Sequence, residues 1–448
     1  MSMDVDMRSN VLLTDLYQLT MLQSYLDHGM NAPAVFEFFV RTMPPQRGFY
    51  MAAGLEQLVE FLETVHFTPW ELEWVEKSGR FSRSFVEYLE RWRFNGDLHA
   101  MPEGAVCFAN EPVVRVTASL PVAQLVETRL INILHYQTLV ASKASRCVLA
   151  AAGRHVMDFG LRRAHGAEAG LLAARACYIA GFGGTATVLA EPLFGVPVFG
   201  TMAHSFVQAH TVESEAFAHY AETHPDQVIL LIDTYDTEAG AEKVVQLARE
   251  LKTKGIAVKG VRLDSGDLIA HARKVRRILD KGGLSDIHIT ASGNLDEHGI
   301  QAIVQAKAPI DVVAVGTRVA TSADVPYLDC AYKLQEYSGR PCRKKSEGKA
   351  TWPGPKQVYR AYDQHRRIDF DVVTTADDQQ EGVPLLEPIL KQGKRIGVVP
   401  SLADVRSLAG TQLASLPDDL QQLRNGLTVE VRVSQALREL CKQVDARC

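Results

Sequence analysis

An irregular α/β barrel of about seven parallel strands, joined to a second α+β domain built from both chain termini, is the fold class this sequence predicts. Four segments end alike, an apolar run of strand length closing on a polar or glycine turn: VILLIDTYD (228–236), VKGVRLDSGD (258–267), IHITASGN (287–294) and VVAVGT (312–317). Parallel strands covered on both faces read as near-continuous Val/Ile/Leu runs, and a barrel collects its chemistry where they finish. Helical stretches separate these segments, and the strand starts recur at roughly 25–30 residues, the spacing of βα units joined by right-handed crossovers. The chain on either side of this middle portion lacks that rhythm.

Taken in order, LLTDLYQLTMLQSYLDHG (12–29) reads as an amphipathic helix with Thr14 as N-cap, Leu16, Leu19, Gln23 and Leu26 near one face, and Gly29 as terminator. Alternating FEFFVR (36–41) reads as a strand, GLEQLVEFLETV (54–65) as a second helix, and GDLHAMPEGAVCF (96–108) and PVVRVTASL (112–120) as short strands. The barrel begins near residue 125, with HVMDFG (155–160), TATVLA (185–190) and VPVFGT (196–201) as its earlier strands. Its helices include TEAGAEKVVQLARELKTKG (237–255) and DLIAHARKVRRILDKGG (267–283). GFGGT (181–185) reads as a helix-to-strand turn, since it lacks the order of a dinucleotide fingerprint. Past about residue 325, SGRPCRKKSEGKATWPGPKQVYR (338–360) is basic, Gly/Pro-rich and aperiodic, a loop or hairpin region. The tail from 401 returns to helical periodicity and is expected to pack back on the first domain. The expected division is residues 1–124 with 326–448 against a barrel at 125–325.

Composition excludes several classes of function. Of the 448 residues 46% are apolar, enough to bury a core without metal or disulfide staples. A net charge of −5 and unbanded basic residues leave no footprint for nucleic acid. Seven scattered cysteines without a CxxC fit a reducing compartment. MSMDVDMRSN carries acid where a signal peptide carries base, and no apolar run reaches the roughly 18 residues a membrane span requires, so a soluble cytosolic protein is expected. There is no HExxH, EF-hand or Walker motif.

Chemistry is expected at the strand ends. RLDSGD (262–267) sets an arginine inside a strand and two carboxylates about a Ser-Gly turn before a helix, suited to a sugar diol or a metal-linked diphosphate. Asp264 or Ser265 can equally cap that helix. Ser292 to Asn294 and Gly316–Thr317 supply small residues on consecutive strand ends, where backbone amides approach an anion closely, which favours a monophosphate. Of Arg162 and Arg163 in FGLRRAHG, one can grip a carboxylate or phosphate bidentately. In GTMAHSFVQAH (200–210), His204 follows a strand end beside Thr201 and Ser205 and can serve as phosphate acceptor or general acid/base, whereas His210, His219 and His224 read as structural.

LLTDLYQLTM, FGLRRAHG, GTMAHSFV, VRLDSGDL, ASGNLDE and VGTRVAT, in this order, resemble nicotinate phosphoribosyltransferase, a type II phosphoribosyltransferase family. The resemblance implies a homodimer with shared active sites that joins nicotinate to 5-phosphoribosyl 1-diphosphate, giving nicotinate mononucleotide and diphosphate, with ATP hydrolysis coupled through a phosphohistidine. It implies His204 as the transiently phosphorylated residue, and Tyr17, Thr201, Arg262 and, less securely placed, Arg162 as nicotinate contacts. Asp264 and Asp267, with Ser265 and Gly266, would lie near the ribose hydroxyls and Mg²⁺–diphosphate. Gly293, Asn294, Gly316 and Thr317 resemble the 5-phosphate site. The rivals are an enzyme using nicotinamide or quinolinate and a non-catalytic phosphosugar-binding regulator. The sequence assigns no role to Asp233 and Asp236 or to the basic loop at 343–356.

Overall fold

The computed structural model describes residues 10–447; the acid-bearing start read against a signal peptide falls largely outside the described residues. Contacts divide the chain into two compact units, Lys143–Pro326 and a terminal unit holding the chain up to Ser142 and from Tyr327 onward. No helix among the described residues is long and apolar enough to cross a membrane.

The central unit carries six parallel strands: β1 (His155–Asp158), β2 (Gly184–Thr185), β3 (Val228–Leu231), β4 (Val258–Leu263), β5 (His288–Ala291) and β6 (Val312–Val315). Their spatial order is β2-β1-β6-β5-β4-β3, and an isolated parallel bridge from Thr185 to Val198 adds a seventh segment outside β2. Apart from β2 and β3, at the two edges, each strand thus lies beside its neighbour in sequence, and β6 pairs with β1, the circular order of a barrel. The sheet is open at one seam, between the Val198 segment and β3, where no strand pairing occurs among the described residues. Pro197 beside the bridge brings no N–H to a ladder, which keeps this segment short.

The long crossover helices form for legible reasons. Asp236 caps Thr237–Thr253 by accepting from Ala239 N at 2.7 Å, and Ala241, Val244 and Leu251 are buried along one face. Leu268–Lys281 buries Ala272, Val275 and Leu279, an i, i+3, i+7 stripe. TATVLA corrects the expectation of a strand there: only Thr185 is in one. The Asp158 side chain accepts from the Thr185 hydroxyl, which in turn accepts from Thr187 N, and Ala186 N donates to the Asp158 carbonyl. These local bonds turn the chain away from the ladder and leave Val188 71% exposed.

In the terminal unit a seven-stranded sheet runs Arg340–Pro341, Cys330–Tyr337, Pro33–Val40, Pro112–Ser119, Asp97–Ala100, Glu387–Lys391, Lys394–Arg395, so segments from both ends of the chain pair with one another. A four-stranded sheet holds Val383–Pro384, Lys356–Tyr362, Ile368–Thr375 and Glu430–Val433. The basic region is a hairpin turning at Ser338 and Gly339, both at positive φ, followed by an irregular stretch and then a strand. FEFFVR does not alternate in burial, because Glu37 is fully enclosed and meets Lys356 Nζ at 2.8 Å. Periodicity overlooked the strand Glu430–Val433, which interrupts the helices Leu402–Ala414 and Gln435–Asp445. The first helix spans Leu16–Asp27 with Asp15, not Thr14, at the N-cap. Its buried residues are Gln18, Leu19 and Leu22, since Gln18 donates to Glu127 at 2.8 Å and draws that face inward.

Candidate active site

The C-terminal ends of β1, β3, β4, β5 and β6 converge on one rim of the central unit, and Arg262 ties four of its segments together. Its Nε donates to Ser292 Oγ at 3.0 Å after β5, Nη1 to Thr201 Oγ1 at 3.1 Å and to the Met202 carbonyl at 3.2 Å, and Nη2 to Asp264 Oδ1 at 3.2 Å. The guanidinium carbon also lies 5.6 Å from the ring centroid of Phe159, just past β1. An arginine inside a strand is therefore not a surface charge here; its planar fork sets the separation of the loops around it.

Asp264 receives the Ser292 hydroxyl as well as Arg262 on Oδ1. Burial alone would raise its carboxyl, but the Ser292 hydroxyl, Arg262 and His204 together hold it below the usual carboxylate range. Its Oδ2 faces His204 Nε2 at 3.8 Å. His204 Nδ1 is 3.1 Å from Thr234 Oγ1 past β3, which orients the ring, and the side chain remains 38% exposed.

Asp233 underlies the turn between these acids. Its Oδ2 accepts from Asp264 N at 2.8 Å and from Ser265 Oγ at 2.6 Å, while its buried Oδ1 has no hydrogen-bond partner among the described residues. The two acids of DTYD thus separate in role: Asp233 holds the β4 turn, and Asp236 caps a helix.

Close backbone approach explains the glycines. A Cβ on Gly293, at φ +101°, would overlap the Asp264 carbonyl oxygen, and one on Gly316 would lie 2.8 Å from the Phe159 carbonyl oxygen. No side chain larger than hydrogen fits at either position. Asn294 is itself at φ +50°, and its Oδ1 accepts from Arg318 Nε at 3.1 Å; Thr317 opens the short helix Thr317–Ala320.

The expected residues do not all join this cluster. Asp267 is the N-cap of Leu268–Lys281, accepting from Ile269 N at 3.1 Å and Ala270 N at 3.0 Å, so the capping task falls to Asp267 rather than to Asp264 or Ser265. Ser265 and Gly266 are exposed beside it, Gly266 at φ +74°. Arg162 and Arg163 lie exposed on the 3₁₀ turn Leu161–Arg163, and their guanidinium groups make no hydrogen bond or ion pair among the described residues. Tyr17 belongs to the terminal unit, 47% exposed on the helix Leu16–Asp27.

Sequence reasoning missed Asp158 and the roles of Asp233 and Thr234. Asp158 is buried at the end of β1, its Oδ1 accepting from Gly160 N at 2.8 Å and its Oδ2 from Thr185 Oγ1 at 2.6 Å, which fixes the start of the arginine-bearing turn. Burial pushes its carboxyl upward. The readable signal was an acid closing an otherwise apolar strand. Among the described residues no group of three or more His, Cys, Asp or Glu side chains is arranged to hold a metal ion. The buried, partnerless Asp233 Oδ1 and the open Asp264 Oδ2 are nonetheless the hard oxygen donors that a phosphate-linked divalent cation takes.

Three family models match along the chain: the nicotinate phosphoribosyltransferase N-terminal domain at residues 12–135, the nicotinate phosphoribosyltransferase family at 154–338, and the C-terminal domain at 379–441. Nicotinate phosphoribosyltransferase pncB2 of Mycobacterium tuberculosis is 45% identical over 425 residues, covering 94% of this chain and 91% of that protein. The nicotinate phosphoribosyltransferase of Bacillus subtilis is 40% identical over 388 residues, covering 84% and 79%. Among solved structures, human nicotinic acid phosphoribosyltransferase superposes with a TM-score of 0.87 at 28% identity, covering 97% of this chain and all of the other.

Proposed function

The chain belongs to the nicotinate phosphoribosyltransferase family, and on that premise we propose that its rim couples the transfer to ATP through His204 and feeds NAD synthesis from nicotinate. The supporting observation is the Arg262–Asp264–Ser292 cluster with His204 Nε2 at its open edge. The pyridine nitrogen of nicotinate attacks C1 of the phosphoribosyl group as the C1–O bond to diphosphate breaks, with no net proton change. Positive charge develops on the sugar and passes to the pyridinium nitrogen while negative charge departs with diphosphate, so catalysis rests on alignment and on fixed dipoles in a dry site.

Arg262 is the nicotinate carboxylate contact, with Thr201 fixed beside it, and one of the rim arginines, Arg162 in this reading, adds a second. Tyr17 supplies an aromatic face to the pyridine ring within a homodimer. Asp264 orients the ribose hydroxyls, its depressed carboxyl keeping it an acceptor throughout the working pH range. Asp267, Ser265 and Gly266 form the exposed edge of the diphosphate side, where Asp267 contributes chiefly by fixing the helix start. Gly293, Asn294, Gly316 and Thr317 cradle the 5-phosphate. Asp233 and Asp264, through Oδ1 and Oδ2 respectively, are the residues that would hold, with diphosphate, a Mg²⁺ that when bound would supply charge neutralisation for the leaving group.

When His204 Nδ1 donates to Thr234, Nε2 carries the lone pair needed to attack the γ-phosphorus of ATP, forming the N–P bond as the bond to ADP breaks and ADP leaves. The P–N bond that forms is labile, and its hydrolysis returns the free imidazole and phosphate.

The test is nicotinate mononucleotide formation with and without ATP, together with transfer of label from γ-³²P-ATP to protein. Wild type should carry acid-labile label and make more product with ATP; His204→Ala should lose the label and keep uncoupled transfer. Label retained by His204→Ala, or ATP hydrolysis unchanged in that variant, would refute the coupling. Turnover of nicotinamide with none of nicotinate would refute the substrate.

A further inference from the structure

We propose that Arg318 is a positioning residue for the 5-phosphate of phosphoribosyl diphosphate, acting through Asn294 and Asp296 rather than by touching the phosphate. The proposal rests on reading the turns after β5 and β6 as the phosphate cradle. Asn294 sits in the left-handed region at φ +50°, a conformation unfavourable for a non-glycine residue that persists where neighbours hold it. The holder is visible. Arg318 Nε donates to Asn294 Oδ1 at 3.1 Å, and Nη1 donates to Asp296 Oδ2 at 2.9 Å.

Asp296 is held in its turn. Its Oδ1 accepts from His298 N at 3.1 Å and Gly299 N at 3.0 Å, capping the helix Glu297–Gln305. The next residue, Glu297, is fully buried and meets Lys143 Nζ at 2.5 Å and Arg146 Nε at 2.9 Å; Lys143 also meets Asp324 at 2.8 Å. The segment from Gly293 to Glu297 is therefore anchored on its inner side by buried ion pairs and on its outer side by Arg318, which is 43% exposed.

An exposed arginine paired with a carboxylate usually contributes little to stability. This one differs because its planar fork spans two acceptors and departs from the helix that begins at Thr317. It links the β5 turn to the β6 turn, so both sets of backbone N–H groups keep one spacing. Lysine, a single point donor, cannot span both acceptors.

Steady-state kinetics on Arg318→Ala, Arg318→Lys, Asn294→Gly and the Arg318→Ala/Asn294→Gly double variant test this, with melting temperature as a control for folding. Glycine at 294 removes the side chain while keeping the backbone conformation accessible. The expected result for Arg318→Ala is a KM for phosphoribosyl diphosphate raised roughly tenfold, the scale of one lost charge-assisted hydrogen bond. Its kcat should fall by less, and the KM for nicotinate should rise least. Arg318→Lys should recover little of the loss, and the double variant should be no worse than the worse single by more than a factor of two. An unchanged KM in Arg318→Ala, full recovery by lysine, or multiplying effects in the double variant would each overturn the proposal, the last by marking a direct phosphate contact. If Asn294→Gly leaves that KM unchanged, Arg318 does not act through the Asn294 side chain and the proposal falls while the backbone cradle stands; a wild type inactive on nicotinate would instead sink the substrate assignment.

Discussion

Charge is handled in opposite ways at the Arg360–Asp371 pair and at the rim of the central unit. In the terminal unit one ionic pair is sealed in and bonded: Arg360 reaches Asp371 through two parallel bonds of 2.9 and 2.6 Å, gives a third to Gln412 at 2.9 Å, and both members of the pair are fully buried. At the rim of the central unit His204 and Asp264 stay partly open, with Nε2 and Oδ2 free to meet a ligand, and the buried Asp233 Oδ1 beneath them has no hydrogen-bond partner among the described residues. A buried pair with every donor matched leaves nothing to offer a ligand, whereas an incompletely matched rim offers several groups at once. Partners left over, rather than charge as such, distinguish a binding surface from a scaffold.

Breaking the sealed side should give the largest effect. Arg360→Met strands Asp371 beside Glu111 in the core and should lower stability by about 3–5 kcal/mol, read as a lower urea midpoint for the terminal unit's transition. A midpoint within error of wild type would mean the pair is not the scaffold element it looks. On the open side, Arg262→Ala should weaken nicotinate by about 2–3 kcal/mol, seen in its dissociation constant, and lower the urea midpoint by less than Arg360→Met does. Unaltered nicotinate binding would move Arg262 to the scaffold.

A smaller effect sharpens the contrast through pH. Burial first, and then the neighbouring Asp371 carboxylate, push the Glu111 carboxyl well above the usual range, against the opposing pull of Arg360 and Phe108 N. The folded chain thus keeps a proton that the unfolded chain releases. This contribution to stability is complete below the ordinary glutamate pKa of about 4.3 and fades as pH rises toward the raised value. Glu111→Gln should flatten that decline, gaining on wild type as pH rises from about 5 to about 8. A gap between the two proteins that does not grow with pH would show Glu111 to be ionised in the fold. The smallest effect belongs to the exposed Lys77–Glu73 pair, where Glu73→Ala should leave the melting temperature within measurement error.

The same contrast explains what could be read from the chain in advance. Strand-end chemistry was legible because VKGVRLDSGD and IHITASGN place their polar residues directly after apolar runs, and the structure brings Arg262, Asp264, Ser292, Thr201 and His204 together. Which acid capped the helix after β4 was not legible, since Asp264, Ser265 and Asp267 are all good caps and only the path of the turn selects Asp267. TATVLA misled because β-branched residues suggest a strand, while Asp158, distant in sequence, captures Thr185 and ends it. FEFFVR misled in burial because the partner of Glu37 is Lys356, more than 300 residues away. Local pattern reports the rim well; long-range side-chain pairing, which builds the scaffold, leaves little local trace.

The most direct test follows nicotinate mononucleotide made from nicotinate and phosphoribosyl diphosphate with Mg²⁺, comparing wild type with Asp264→Asn at matched melting temperature. Wild type should yield mononucleotide and diphosphate in equal amounts, and the variant should be slower by about a thousandfold, the scale of one lost preorganised electrostatic contact. No product from wild type, or undiminished turnover by the variant, would contradict the assignment of this rim to phosphoribosyl transfer.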